Sequence, residues 1–479
     1  MYKFSEFTPE HLIELLRAGH LTEFIDDLIK SFHELDFGVQ FELINFIRDK
    51  KPDFSLKNLA EVLEISQDDA RKIVSGPSRI VPFVVVKGET GEIAKMLVIR
   101  DTSSIITNFS SVLEKLEVIA RFCGCKFAVI FSTPFLGESF MLPLATALCV
   151  ENFPNDVVFT GKIDEKGMIY EVDYIKEKRK LVHDAGFRLV SPIEVENVAY
   201  IKRWLDAPKV TLPVFITSST GEHALAEYRN FAKSVSENYE SLSAALNCLF
   251  GVQEEDLLIR TAQLTDSESW LKAINSFYDT ISWLYGKFGS KADFVIGLKG
   301  PVSLSLGLGM VFGSQTPFTF CHYENLQYMP IRVNDVRYLK ERTREYPLIE
   351  TSLKEGKKEE IAIILSLAHH EPMADSLKFI SENFGDIFVL TVGYRQKGNI
   401  PVEEQLEIAR QIAGYIQDLR AKYSFNRFYF FLSAPLSIAF MLGVAFGYYS
   451  DGAVFQYRRD ISTYQKVYEL SDIRKIREC

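Results

Sequence analysis

The C-terminal half of the chain alternates short apolar runs with longer stretches rich in small apolar residues. Residues 300–304 and 434–438 each place a proline just after an apolar run, and Leu-Gly and Phe-Gly pairs follow both in the same order. The offset is constant, because 435 − 301 and 447 − 313 both give 134. A strand, a proline-marked turn, a small-residue helix and another strand are therefore predicted twice. This alternation indicates parallel sheets covered by helices, in two related halves.

The uncharged segment from Phe428 to Tyr449 is long enough to cross a bilayer as a helix. It carries Pro435 near its centre, and it is also the second copy of the repeat. We therefore predict a strand over residues 428–432, a turn at Pro435 and a buried helix, and no membrane span.

Residues 1–78 are predicted to form a helical N-terminal domain. Thr8 and Pro9 suit the cap and the first position of its first helix. Residues 55–74 have the pattern of a helix-turn-helix whose second helix would lead with the polar and acidic residues 67–69. Because acids disfavour contact with phosphates, a packing or docking role is predicted rather than DNA binding.

Composition is ordinary for a soluble globular protein of several domains, with 479 residues, 47% hydrophobic and 25% charged. The net charge of −10 argues against a surface that coats nucleic acid. The six cysteines lack the spacing of a zinc site, so no metal is expected and the thiols are predicted to be reduced. The N-terminus lacks the apolar core of a secretory signal, and a cytoplasmic location is expected.

The candidate chemistry lies between residues 131 and 180. Ser139 follows Gly137-Glu138 at a predicted strand-to-helix turn, and Lys176 stands near the start of a later helix. A serine hydroxyl needs a neighbouring base, and a buried lysine supplies one if its pKa falls from about 10.4 to near 7. Ile175 and Leu181 give that helix an apolar stripe, with Lys178 expected to point outward.

Residues 79–207 resemble the proteolytic domain of Lon-type peptidases. The matching motifs are Leu136-Gly137-Glu138-Ser139-Phe140-Met141, Phe159-Thr160-Gly161, Tyr174-Ile175-Lys176-Glu177-Lys178 and Ala185-Gly186-Phe187. The resemblance implies a Ser-Lys dyad of Ser139 and Lys176, with Thr160 aiming the lysine. Since Pro143 would interrupt a helix that began at Ser139, the helix is expected to begin later. Glu138 is expected to point away from Lys176.

The chain has no Gly-x-x-x-x-Gly-Lys-Ser/Thr phosphate loop. Peptidase activity is therefore expected to be independent of ATP, with control supplied by another part of the chain.

The C-terminal repeats suggest a binding cleft for an anion. Helix N-termini after Pro301 and Pro435 would offer backbone amides to phosphates, and nearby hydroxyls, cations and an aromatic ring would add contacts. The candidate ligand-binding residues are Thr217, Ser218, Ser219, Lys299, Pro301, Ser303, Ser366, His369, Tyr394, Arg395, Pro435 and Ser437. The alternative is that the small residues serve helix–sheet packing and the charges are solvated.

Residues 208–479 resemble the SAVED domain, a fusion of two CARF-like Rossmann halves that senses cyclic oligonucleotides. The resemblance rests on residues 298–313 and 328–331. It implies two halves, at about 208–345 and 355–479, with the ligand across the carboxyl ends of the sheets. The predicted fold is therefore a multidomain α/β and α+β protein with a helical N-terminal unit, a Lon-like α+β domain and a SAVED domain.

A Lon-like domain joined to a SAVED-like sensor resembles the CRISPR-associated Lon-like proteases of type III antiviral systems. The resemblance implies a serine endopeptidase that needs no cofactor and is activated by a cyclic oligoadenylate, with the tetramer expected among rings of three to six nucleotides. It also implies self-association on ligand binding and cleavage of a co-encoded regulatory protein. Two alternatives remain: a catalytically inert, ligand-gated adaptor, and a transcription regulator that senses the nucleotide.

Overall fold

The computed structural model describes residues 4, 7–87, 90–261, 263–314, 316–342, 345–368, 372–396 and 398–478. The chain divides into two compact units. Unit 1 comprises residues 1–207 and 244–251, and unit 2 comprises residues 208–243 and 252–479.

Unit 1 is a mixed α/β unit. Its α-helices are α1 (Pro9–Arg17), α2 (Ile25–Lys30), α3 (Phe37–Lys50), α4 (Leu56–Val62), α5 (Gln67–Ser75), α6 (Leu113–Cys123), α7 (Met141–Cys149), α8 (Ile175–Asp184) and α9 (Val198–Leu205). Its strands are β1 (Ser78–Lys87), β2 (Thr90–Arg100), β3 (Ile106–Thr107), β4 (Phe127–Phe131), β5 (Val157–Phe159), β6 (Lys162–Ile163), β7 (Ile169–Tyr170) and β8 (Arg188–Val190). Short 3₁₀ helices cover Thr22–Phe24, Phe32–Glu34 and Ser110–Val112.

One sheet of unit 1, in the order β1-β2-β4-β3, has a core on each face. The N-terminal helices cover one face, where Leu16, Ile44 and Ile73 pack in a single cluster with Leu97 and Ile130. The segments 1–78 and 79–207, predicted as separate domains, therefore form one compact unit because they share this core.

The helix-turn-helix segment is part of that shared packing. Asp69 on α5 is buried, and its carboxylate accepts hydrogen bonds from the backbone nitrogen of Ser103 at 2.8 Å and from the Ser103 hydroxyl. This contact agrees with the predicted packing role, because a carboxylate held in this way does not face a DNA groove.

The second face of the sheet carries the core that positions Ser139. Phe83, Phe131, Phe135 and Phe140 pack edge-on or tilted, with ring centroids 5.0–5.8 Å apart. Phe140 is fully buried directly after Ser139, so the serine is held against a rigid aromatic cluster.

Unit 2 alternates strands and helices as predicted. Its strands are β9 (Val210–Thr217), β10 (Leu258–Arg260), β11 (Ala292–Lys299), β12 (Phe318–Glu324), β13 (Gln327–Val333), β14 (Ile349–Lys354), β15 (Lys358–Ser366), β16 (Ile387–Tyr394), β17 (Arg427–Ser433), β18 (Asp451–Arg458) and β19 (Thr463–Glu469). The helices are α10 (Gly221–Val235), α11 (Tyr239–Phe250, which ends within unit 1), α12 (Glu254–Leu257), α13 (Ser267–Phe288), α14 (Val302–Phe312), α15 (Met373–Asn383), α16 (Val402–Lys422), α17 (Leu436–Phe446) and α18 (Leu470–Glu478). Short 3₁₀ helices cover Gly289–Lys291 and Val336–Lys340.

The two sheets of unit 2 have matching topology. Four parallel strands run in the order β10-β9-β11-β12 in one and β16-β15-β17-β18 in the other, and an antiparallel strand follows each. The internal repeat is thus confirmed. Strand β14 begins at Ile349, before the predicted start of the second half at 355, and adds an antiparallel edge to the second sheet.

Helices α14 and α17 pack against each other at paired glycines. A Cβ on Gly309 would lie 2.0 Å from the carbonyl oxygen of Phe440, and one on Gly443 would lie 2.2 Å from that of Leu306. Since 443 − 309 and 440 − 306 both give 134, the two contacts are equivalent and are related by the internal repeat. The small residues of the repeat therefore allow two helix backbones to touch.

The apolar segment at 428–449 forms the strand β17 and the helix α17, as predicted. Across the described ranges, every helix is too short or too polar to span a membrane.

Candidate active site and sensor edge

Ser139 stands on a sharp turn between β4 and α7. Gly137, two residues earlier, has φ +96°, a conformation that favours glycine. Helix α7 begins at Met141, so Pro143 occupies its first turn, where no intrahelical hydrogen-bond donor is needed. The expectation that the helix begins after the serine is confirmed.

Two backbone hydrogen bonds join this turn to the strand end at Gly161. The Gly161 nitrogen donates to the carbonyl oxygen of Ser139 at 3.3 Å, and the Leu142 nitrogen donates to that of Gly161 at 3.0 Å. The half-buried Ser139 hydroxyl donates to the carbonyl oxygen of Val84 at 3.4 Å. The serine turn and the strand end at Gly161 are therefore adjacent.

Ser139 opens onto a cavity of about 770 Å³. Its walls are the end of β1, Phe109, the serine turn and the segment leading into α8. The lining residues are Val85, Val86, Phe109, Pro134, Phe135, Leu136, Gly137, Glu138, Ser139, Glu171, Val172, Asp173, Tyr174 and Lys178.

The lysine that lines this cavity is Lys178, whereas the predicted Lys176 lies outside it. Lys176 is exposed and does not line the cavity, whereas Lys178 is only 5% exposed. The reason is helical periodicity. Residues 175, 178 and 182 share the inner face of α8, with Val182 fully buried, and position 176 lies off that face.

Burial lowers the pKa of Lys178 to about 8, although the nearby Asp173 carboxylate acts in the opposite direction. Within the described part of the chain, its ammonium group has no hydrogen-bond or salt-bridge partner. A buried lysine with a pKa near 8 is a suitable general base at neutral to mildly alkaline pH.

Tyr174 caps the helix that carries Lys178 in a left-handed conformation, with φ +63°. The backbone nitrogen of Lys178 donates a hydrogen bond to the Tyr174 carbonyl oxygen at 2.9 Å, which closes the first turn of α8. A tyrosine at positive φ is strained, so the surrounding structure holds this turn in place beside the cavity.

Thr160 and Glu138 complete the surroundings of the serine. Thr160 is fully buried, and its hydroxyl has no partner among the described residues. The Glu138 carboxylate forms a salt bridge of 3.0 Å with Lys162 and not with a lysine of α8. Its charge is therefore compensated at the rim of the cavity.

In unit 2, three residues meet at the carboxyl edge of the first sheet. Thr217 lies in register with Arg260 on one side and with Lys299 on the other. The Thr217 hydroxyl donates to Glu227 at 2.8 Å, and Lys299 also binds that carboxylate. Burial would raise the pKa of Glu227, but hydrogen bonds from Lys299, Thr217 and Ser219 outweigh it and lower the pKa. Sequence reasoning missed Arg260 and Glu227.

The second sheet presents small residues at the equivalent edge. Ser366 ends β15 in register with Gly393 and Ser433. Tyr394, at the end of β16, donates its hydroxyl to Glu404 at 2.6 Å, and Arg395 donates to the carbonyl oxygen of Ile349 at 3.1 Å. These two predicted ligand contacts are engaged in internal hydrogen bonds.

The predicted roles of Ser303 and Ser437 as ligand donors are wrong. Both are fully buried. The Ser303 hydroxyl donates to the carbonyl oxygen of Phe455 at 3.2 Å, and that of Ser437 donates to the Gln405 side chain. Each serine follows a proline cap by two residues and points into the interior, Ser303 toward strand β18 and Ser437 toward helix α16.

The remaining candidates divide by position. Pro301 and Pro435 cap α14 and α17, as predicted. Ser218 is exposed and Ser219 is half-buried after β9, with the Ser219 nitrogen donating to the Thr217 hydroxyl at 3.1 Å. His369 lies outside the described residues.

Comparison with known proteins identifies the sensor half. Residues 282–470 match the SAVED family, the SMODS-associated and fused to various effectors sensor domain, so this part of the chain is a SAVED domain. No curated protein sequence matches the chain.

The structural matches of this chain include Cap4 SAVED/CARF-domain receptors. One from Acinetobacter baumannii with the cyclic trinucleotide 3'3'3'-cAAA is 14% identical, at a TM-score of 0.36, over 51% of this chain and 56% of that chain. The same receptor with 2'3'3'-cAAA is 11% identical, with a TM-score of 0.38, over 98% of this chain and 78% of that chain. The Moraxella osloensis Cap4 receptor is 12% identical, with a TM-score of 0.35, over 82% of this chain and 94% of that chain. In the first case this chain spans just over half the length of the receptor.

Proposed function

We propose that the protein is a serine endopeptidase, with Ser139 as nucleophile and Lys178 as base, that is activated by a cyclic oligonucleotide. The observation that carries the proposal is the cavity that Ser139 and Lys178 both line, in which Lys178 is buried, has a lowered pKa and has no hydrogen-bond or salt-bridge partner among the described residues. An unpaired lysine in a nearly buried position costs stability, and a catalytic role explains why the chain keeps it.

In the proposed reaction, the Ser139 hydroxyl attacks a peptide carbonyl while neutral Lys178 takes its proton. The resulting ammonium returns that proton to the leaving amine, and the same lysine then activates the water that hydrolyses the acyl-enzyme. Backbone amides of the turn at residues 137–139 hold the oxyanion. In the active form, the Thr160 hydroxyl, which has no partner among the described residues here, would accept a hydrogen bond from the Lys178 ammonium and orient it.

The proposed activator is a cyclic oligoadenylate, with the tetramer as the expected ring. It binds the carboxyl edges of the two sheets of unit 2, where Arg260 beside Thr217 supplies positive charge for phosphates and Lys299 adds to it on release from Glu227. The ligand shifts the protein toward its active form by preferring a self-associated state. In the type III CRISPR setting implied by the resemblance, the substrate is a co-encoded regulatory protein.

In the proposed mechanism, this structure corresponds to a resting form. The Ser139 hydroxyl is engaged with the Val84 carbonyl oxygen and not with Lys178. A shift that moves this hydroxyl from Val84 to Lys178 would complete the dyad, and apo structures often show such long catalytic contacts.

We expect cyclic tetra-adenylate to raise cleavage of an unfolded protein such as casein by at least about tenfold, a coupling of the usual allosteric size. The assay compares cyclic tri-, tetra- and hexa-adenylate, with molecular mass measured by light scattering in parallel. Ser139→Ala is the control and should bind the ligand without cleaving. Cleavage that persists in Ser139→Ala, or no cleavage with any ring, would remove the peptidase assignment.

The resting contact of Ser139 also favours a second candidate, a ligand-gated adaptor without catalysis. An adaptor would change its mass and its partners on binding ligand, yet Ser139 would stay unreactive in every state. The transcription-regulator alternative has less support, because Asp69 at the start of the second helix is buried against Ser103.

A further inference from the structure

The cavity at Ser139 has two chemically different walls. On one side, Phe109 and Phe135 meet edge-on with ring centroids 5.1 Å apart, and the end of β1 continues this apolar surface. On the other side, the four-residue segment 171–174 connects β7 to α8. A peptide whose carbonyl reaches Ser139 must pass between these walls.

The second wall carries two exposed carboxylates, Glu171 and Asp173. In the described part of unit 1, neither forms a salt bridge, whereas the neighbouring Glu138 is paired with Lys162 and Asp164 accepts a hydrogen bond from Tyr170. Both carboxylates therefore remain available to a partner that enters the cavity.

A second feature of the cavity points to an occupant. Lys178, one helical turn beyond the acidic segment, is 5% exposed and has no hydrogen-bond or salt-bridge partner in the described residues, although Asp173 acts on it electrostatically. A reacting carbonyl placed between Ser139 and Lys178 thus has carboxylates on one flank and aromatic rings on the other. An extended chain advances about 3.3 Å per residue, so side chains within about two residues of the reacting bond reach these walls.

We propose that this site selects protein segments that carry a lysine or arginine within about two residues of the cleaved bond, bound by Glu171 and Asp173, beside an apolar side chain against Phe109 and Phe135. This inference rests on the proposed peptidase function and names the substrate class of that same site. Exposed charge pairs contribute modestly to binding and are screened by salt. We therefore expect kcat/KM for a lysine-containing and a glutamate-containing segment to differ by roughly tenfold at low ionic strength.

The test uses three fluorogenic peptides that share one apolar residue and differ at a neighbouring position in carrying lysine, glutamine or glutamate. With the full-length protein and cyclic tetra-adenylate, we expect kcat/KM to fall about tenfold from the lysine to the glutamate peptide at low salt. The difference should shrink as salt rises. In the double variant Glu171→Gln, Asp173→Asn it should shrink to within about twofold, and Glu171→Lys with Asp173→Lys should reverse the order.

The matched control is Glu177→Gln, which removes an exposed carboxylate of α8 outside the cavity and should keep the lysine preference. Equal rates for all three peptides, or a lysine preference that survives in the double variant, would overturn the charge selection and leave the peptidase standing. Failure to cleave any peptide, with Ser139 also inert toward a serine-reactive probe, would overturn the peptidase and this preference together.

Discussion

Replacing Lys178 with methionine lowers cleavage by at least about a hundredfold, the usual loss when a general base is removed. Methionine keeps most of the volume of the lysine stem and removes only its amine. Lys176→Met is the matched control and should change the rate less than about twofold, because Lys176 is exposed and outside the cavity. Equal losses in the two variants would contradict the assignment of the base. The measurement is kcat/KM on one peptide for wild type and both variants.

The pH profile provides a second readout of the same residue. The base must be neutral to accept a proton from Ser139, so activity should rise with pH through about 8, the pKa to which burial lowers Lys178. A lysine with a pKa of about 8 is about one-tenth neutral at pH 7, against less than about one in a thousand for an ordinary lysine. Activity that falls between pH 7 and 9 in a stable protein would argue against this base.

Lys178→Met should also stabilise unit 1. The folded-state pKa lies below that of the unfolded chain, so the folded state binds fewer protons between about pH 8 and 10.5 and stability rises with pH across that window. Below pH 8 the buried ammonium of Lys178 destabilises the folded state by the full amount, about 3 kcal/mol for a pKa shift of this size. The variant should therefore raise the free energy of unfolding at pH 7, with the gain vanishing near pH 10.5.

The second large effect concerns the paired glycines of the sensor. Gly309→Ala and Gly443→Ala should each destabilise unit 2 by about 3 kcal/mol, because the new methyl would lie 2.0 or 2.2 Å from a backbone oxygen that cannot move aside alone. The double variant should cost less than the sum, since one separation of α14 from α17 relieves both contacts. Hydrogen exchange of amides in the two helices of the full-length protein measures these changes.

Gly286 supplies the matched control on the neighbouring helix α13. A Cβ there meets nothing within 4 Å, so Gly286→Ala should stabilise by about 0.5–1 kcal/mol. Full additivity at Gly309 and Gly443, or a loss at Gly286 equal to theirs, would contradict the shared helix contact.

The repeat of unit 2 was predictable because its signal is redundant. The related positions from the proline caps at 301 and 435 to the glycines at 313 and 447 all share the offset of 134. An insertion within this segment of either half would have broken that constancy. Hydrophobic and small residues that recur at a constant offset predict the same order of strands and helices in both halves, even when no individual contact is known.

Motif order in the sequence favours Lys176, whereas helical periodicity favours Lys178 as the lysine that lines the cavity. Ile175 and Leu181 suggest an apolar stripe that places Lys176 beside it and Lys178 outside. The structure buries positions 178 and 182, three and seven residues after Ile175. Testing each lysine against a period of 3.6 would have favoured Lys178.

The ligand-binding candidates were harder to predict, because a hydroxyl at a helix start suits both a ligand and a buried carbonyl. Ser303 and Ser437 are used internally by Phe455 and Gln405, residues far away in the sequence. Arg260 carries no local motif and is brought beside Thr217 only by strand pairing. Such long-range register cannot be inferred from one chain segment.

The central claim is that Lys178 activates Ser139 under control of a cyclic oligonucleotide. Its most direct test is labelling of the full-length protein with a fluorophosphonate probe, with the modified peptide identified by mass spectrometry. We expect an adduct on Ser139 that increases with cyclic tetra-adenylate and with pH through about 8, persists in Lys176→Met and is nearly lost in Lys178→Met. An unlabelled Ser139 under all these conditions, or labelling that is indifferent to Lys178, would contradict the account.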